Sequence, residues 1–180
     1  MLEITIPERD LWDEKNEQFI HIKETNLRLE HSLVSLSKWE SKWNKVFLSN
    51  KEKSVEETID YIKCMTLTKN VDPNVYYGLT PENFKQINEY IAAPMTATYF
   101  SKEQKNGNSR EQVTSELIYY WMIAYNIPFE CQKWHLNRLI TLVRVCEVKN
   151  EKPKKMSKGD IMRRNASLNA ARRKKFHSKG

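Results

Sequence analysis

The spacing of apolar positions changes along the chain and predicts its elements. Leu2, Ile4 and Ile6 alternate with Glu3 and Thr5, the pattern of a half-buried strand, closed by Pro7. Short alternating runs follow at Phe19-Ile20-His21-Ile22 and Leu27-Arg28-Leu29, with a polar turn over Asp13 to Glu17. They predict a small antiparallel sheet of two or three strands within about residues 1–30, too small to stand without helices. From Ser32 the interval becomes three and four: Leu33, Leu36, Trp39, Trp43 and Phe47 predict an amphipathic helix reaching Leu48, with Ser32 as N-cap.

Helix starts can be read from their caps. Ser54-Val55-Glu56-Glu57 is an S-x-x-E capping box ahead of Ile59, Ile62 and Met65. Thr80-Pro81-Glu82 supplies a cap, a first-turn proline and an acid at the positive helix end, ahead of Phe84, Ile87, Tyr90 and Ile91, with a stop before Pro94. Ser101 to Asn108 reads as a polar loop, and Ser109 with Gln112 reads as a second box opening the central segment.

That segment, Glu116 to Cys146, is the expected centre of the fold. Val113, Leu117, Trp121, Ala124 and Tyr125 lie on one face of its first helix, and Leu136, Leu139, Ile140, Val143 and Cys146 on one face of its second. No side chain from Leu117 to Tyr125 is charged, so this helix is expected to be buried nearly all round. It is too short for a membrane span, which needs roughly 20 apolar residues. Pro128 breaks the run and should sit in the first turn of the next helix. The expected architecture is mainly α (α+β): a helical body around a central helical hairpin, a small N-terminal antiparallel β element, and a C-terminal arm that is helical or disordered.

Charge divides the chain. Residues 152–180 carry eleven Lys/Arg against Asp160, a net of +10, while residues 1–151 carry nineteen Lys/Arg against 22 acids, a net of −3. The body is therefore 1–151 and the basic arm 152–180, joined by the Pro-containing linker at Asn150 to Lys155. Lys154-Lys155, Arg163-Arg164 and Arg172-Arg173-Lys174-Lys175 form three basic clusters about two helical turns apart. Such an arm can neutralise nucleic-acid phosphates or dock on an acidic protein surface. Its thin apolar stripe, Ile161, Met162 and Leu168, is too weak to hold it on the body, and the lack of large aromatics apart from Phe176 argues against an anionic membrane surface as its partner. A solvated, solubilising tail is the simpler alternative.

Catalytic chemistry has little support in the residues. Four glycines leave no phosphate-cradling loop. Cys64, Cys131 and Cys146 have no C-x-x-C spacing and read as free thiols in a reducing, cytosolic compartment, and the N-terminus has no secretion-signal pattern. Cys131 and His135 stand one turn apart on a predicted helix, as half a nucleophile–base pair or half a zinc site, but the remaining partners are missing. A buried thiol beside a hydrogen-bonded histidine accounts for them. The acids belong to caps and turns, and Arg138 or Arg144 could be satisfied by Glu116. These observations assign no catalytic residue, no metal ligand and no cofactor.

The stretches HSLVSLSKWESKW (His31 to Trp43), IYYWMIAYNIPFECQKWHLNRLITLVRVC (Ile118 to Cys146) and the ending PKKMS…RRNASLNAARR resemble the tail assembly chaperones of tailed bacteriophages and prophages, encoded near the tape-measure protein. The resemblance implies a non-enzymatic protein that binds the tape-measure protein in the host cytoplasm and keeps it soluble until tube protein polymerises around it. It transfers no individual residue. The candidate contacts therefore come from charge alone: Lys154, Lys155, Arg163, Arg164, Arg172, Arg173, Lys174 and Lys175. A structural tail or neck protein of the virion, and a nucleic-acid-binding module acting through the arm, are the alternatives; self-association is left open.

Overall fold

The computed structural model describes residues 1–13, 17–49, 51–100, 112–150 and 157–177, in two compact units, Met1–Val148 and Lys149–Gly180. The fold is mainly helical with a small β element, as the pattern predicts. The expected boundary at 151/152 lies outside the described residues, as do most of the polar turn at 13–17 and the loop at 101–108.

Among the described residues the β element holds four strands: β1 (Leu2–Ile6), β2 (Arg9–Asp13), β3 (Gln18–Ile22) and β4 (Thr25–Leu29). β1 pairs antiparallel with β4, and β2 with β3. Leu2 faces Leu29 and Ile6 faces Thr25; further along, Arg9 faces Ile22 and Asp13 faces Gln18. Both ladders keep one register, so together they make a single long hairpin interrupted at Pro7-Glu8 and Lys23-Glu24. Pro7 has no N–H for the ladder. It ends a sheet but not the ribbon, which is why the count of two or three strands is too low. Inward positions shift across the break from Ile4 and Ile6 to Leu11. On the outer face of the far end, Trp12 and Phe19 pack edge to face, ring centroids 5.0 Å apart.

Among the described residues, five α-helices follow the β element before residue 151. α1 spans Leu33–Trp43, capped by Ser32; α2 spans Val55–Met65, capped by Ser54 with Glu57 closing the box; α3 spans Pro81–Ala92, capped by Thr80 with Pro81 in its first turn. α1 stops short of Leu48 because Asn44 adopts the left-handed conformation (φ 51°) and donates its N–H to Glu40 O. The chain then turns back, and Phe47 stacks on Tyr61 (3.8 Å between centroids) and meets Trp39 edge-on at 5.1 Å. Both α1 tryptophans also donate to α2: Trp39 Nε1 to Glu57 O (2.8 Å) and Trp43 Nε1 to Asp60 Oδ2 (2.9 Å). Lys42 pairs with Asp60, and Lys45 with Glu57.

α4 (Ser115–Ala124) and α5 (Leu136–Asn150) differ from expectation. α4 opens at Thr114, whose Oγ1 accepts the Leu117 N–H (3.3 Å), so Gln112 precedes the helix; Ser109 lies outside the described residues. Only Ser115, Ile118 and Met122 are buried on α4, and the expectation of burial nearly all round is corrected. After Pro128 the chain forms a 3-10 helix (Phe129–Lys133), and α5 starts only at Leu136.

The core has two clusters. One joins Ile4, Ile6, Ile22, Leu27 and Leu29 to Trp39, Tyr61, Ile62 and Ile87. The other joins Ile118 and Met122 to Leu136, Leu139 and Val143, around Leu33 and Leu36. α1 feeds both, with Leu33 and Leu36 in one cluster and Trp39 in the other. α1 therefore has the central position that the sequence pattern gives to the 116–146 hairpin.

The second unit contains α6 (Lys158–Phe176), capped by Ser157, whose Oγ accepts the Asp160 N–H (3.1 Å), and closed by left-handed His177.

Candidate functional site

α6 buries none of its residues. Arg163, Arg164, Arg172, Arg173, Lys174 and Lys175 are all exposed on it; Lys154 and Lys155 lie outside the described residues. At 100° per residue, Arg163 and Lys174 share one face, Arg164 and Lys175 a second, and Arg172 and Arg173 point to others. The cations surround the helix instead of forming a stripe, and a rise of about 14 Å separates Arg163 from Arg172. Asp160 in the first turn and Arg173, Lys174 and Lys175 in the last also suit the helix dipole, so part of the charge stabilises the helix itself.

The Cys131–His135 pair does not form as expected. Cys131 is buried in the 3-10 helix and His135 follows it, so the two share no α-helix. Both nitrogens of His135 are engaged. The Asn137 N–H points at Nδ1 (3.3 Å), which assigns the proton to Nε2, and Nε2 donates to Tyr90 O (3.0 Å). Burial lowers its pKa. Among the described residues no three His, Cys, Asp or Glu side chains are grouped to hold a metal ion.

His135 belongs to a polar seam that the sequence did not reveal. His31 lies beside it, ring centroids 5.1 Å apart, and shares a 2.6 Å hydrogen bond between Nδ1 and Tyr61 Oη. Burial, then the neighbouring His135, lowers the His31 pKa to about 4, and burial raises that of Tyr61 strongly. Tyr90 Oη donates to Glu30 Oε1 (2.6 Å), and the Leu136 N–H donates to His31 O (2.7 Å). The seam draws on the connection between β4 and α1 (Glu30, His31), on α2 and α3, and on the start of α5. Its imidazoles are nearly inaccessible, so it can position backbone but cannot reach a substrate.

Arg138, Arg144 and Glu116 have structural partners. Arg138 lies over the Trp134 ring (4.2 Å) and Arg144 over Phe100 (4.3 Å), while Glu116 accepts from Ser115 Oγ (3.3 Å). A cleft of about 420 Å³ is lined by Trp39, Lys45, Lys53, Glu57 and Gln112. Of its two carboxylates, Glu52 and Glu57, the latter is paired with Lys45 and accepts the Ser54 N–H, and both contacts lower its pKa. A general acid needs the opposite shift.

No family model matches the chain, and no curated protein or solved structure does either. No helix among the described residues is long and apolar enough to cross a membrane.

Proposed function

We propose that the protein acts by binding another macromolecule and catalyses no reaction. Within that class, it is a tail assembly chaperone of a tailed bacteriophage, holding the tape-measure protein in the host cytoplasm before the tail tube forms around it. The observation that carries the binding role is α6, a 19-residue helix with all six described candidate cations exposed and no residue buried. A helix that buries nothing gains little from its own chain, because tertiary packing supplies most helical stability. A partner that covers it provides that missing stabilisation. The sequence resemblance supplies the identity of the partner.

Co-expression with the tape-measure protein of the same genome tests this. The expected result is a soluble tape-measure protein that co-purifies with the chain. Changing Arg163, Arg164, Arg172, Arg173, Lys174 and Lys175 together to Gln should abolish co-purification. An insoluble tape-measure protein in the presence of the folded chain refutes the proposal. Purified virions separate a chaperone, absent from them, from a structural tail protein present in fixed copy number.

The cations around α6 also favour a second reading, an arm that binds nucleic acid. That reading predicts affinity for duplex DNA falling with salt at a slope of about −0.9 per phosphate contacted. It predicts loss of binding in the same six-residue variant.

A further inference from the structure

The large apolar side chains of α6 are not equivalent. Ile161 and Leu168 are 43% and 46% exposed, against 73% for Met162 and 71% for Phe176. They stand about two helical turns apart and so lie one above the other along the helix. At 100° per residue, that line divides the six candidate cations into two equal sets. Arg164, Arg172 and Lys175 lie within about 50° of it, while Arg163, Arg173 and Lys174 lie about 130° or more away. One face of α6 is therefore an aliphatic line edged by three cations. Methylene stems of such side chains widen an apolar strip while their charged heads reach past its rim. The opposite face carries the same charge around Ala166 and Ala170, without an aliphatic line.

We infer, on the tape-measure reading of α6, that the Ile161–Leu168 face makes the contact, and that its counterpart is an amphipathic helix with an aliphatic seam flanked by Asp and Glu. Aliphatic anchors at helical spacing are how one helix lies in the groove of another. Charges beside such a seam select the partner by sign. A second copy of α6 would set cations against cations. A nucleic acid fits less well, because phosphates neutralise cations on every face alike and offer nothing to Ile161 or Leu168. An acidic amphipathic helix meets both features at once. Exposed ion pairs contribute little each, so the contact is weak and loosens further as salt rises.

Two triple variants of the full chain remove equal charge and separate the faces. One carries Arg164→Gln, Arg172→Gln and Lys175→Gln; the other carries Arg163→Gln, Arg173→Gln and Lys174→Gln. Neither disturbs the core, since α6 buries none of its residues, and Gln keeps the helix propensity. On co-expression, the first should lower the tape-measure protein retained on the chain roughly tenfold and the second by less than about twofold. Ile161→Ala with Leu168→Ala, which keeps every charge, should also lower it roughly tenfold. An array of overlapping tape-measure peptides, probed with the full chain, should bind it most strongly at acidic amphipathic segments. Equal loss in the two triple variants, the outcome expected of nucleic acid or of unselective charge, overturns the inference and leaves the tape-measure reading standing. Full retention by the Ile161/Leu168 variant does the same, as does binding confined to neutral or basic peptides. No co-purification with the unsubstituted chain removes both.

Discussion

The carboxylate of Glu40, buried on α1, accepts the backbone N–H of Ser115 at 2.7 Å, seventy-five positions along the chain, while its other oxygen accepts the Phe47 N–H at 2.9 Å. One side chain thus fixes the turn that ends α1 and the start of α4, where an anion is also favoured by the helix dipole. Removing it leaves two amide donors without their acceptor, one of them in a buried contact. Glu40→Ala should cost about 2–4 kcal/mol and Glu40→Gln less, because one carbonyl oxygen survives. Urea unfolding followed by far-ultraviolet circular dichroism measures both, and equal midpoints for Glu40→Ala and the parent would refute the role.

His31 should make stability fall in acid. It is 2% exposed, and its pKa in the folded chain is about 4. In the unfolded chain the same group titrates near 6.5. Between these values the unfolded state binds more protons, so stability (the free energy of unfolding) rises with pH through that window. The contribution is complete above about pH 6.5 and lost as pH falls towards 4, a difference of about 3 kcal/mol. His135 shifts in the same direction. His31→Gln should flatten the profile between pH 4 and 6.5 relative to the parent. Parallel profiles would show that His31 does not contribute.

Gly78 ends a 3-10 helix (Pro73–Gly78) directly against the sheet. A β-carbon there would stand 3.0 Å from both Ile22 Cδ1 and Ile6 Cγ2, tighter than most carbon contacts, so the neighbouring side chains must give by a few tenths of an ångström. Gly78→Ala should therefore destabilise by about 1–2 kcal/mol through overpacking. Ile22→Val, which removes Cδ1, should offset part of that loss. The double variant should cost less than the sum of the singles, and strict additivity would mean that the two positions do not touch.

The three free thiols should differ in reactivity. Cys131 is buried, whereas Cys64 and Cys146 are half-buried. Burial, then the nearby Asp60 charge, raises the Cys64 pKa and depletes its thiolate. A thiol reagent under native conditions should modify Cys146 first, Cys64 more slowly and Cys131 last. Mass spectrometry of partially modified protein gives the order directly, and early labelling of Cys131 would contradict its packing.

Features set by neighbours in the chain were legible in the sequence. Ser32, Ser54 and Thr80 cap the helices they were expected to cap, because the side-chain oxygen and its N–H partner lie three residues apart. The basic arm could be read from composition alone. Features set by distant partners were not legible. β2 was missed because RDLWD has one aliphatic residue between charges, and its pairing depends on β3. The helix expected after Pro128 breaks because His135 is held by Tyr90, forty-five residues earlier. The seam and Glu40 are contacts of the same long-range kind. The outward face of α4 was misread for a related reason, since an uncharged run looks the same in sequence whether its own chain covers it or not.

Because α1 lends Leu33 and Leu36 to one cluster and Trp39 to the other, neither half of the first unit can come apart without disturbing an eleven-residue rod held by both. The hairpin sheet and the α4–α5 region are thus bound to melt as one cooperative body. Damage near Val143 should loosen Ile6 as well.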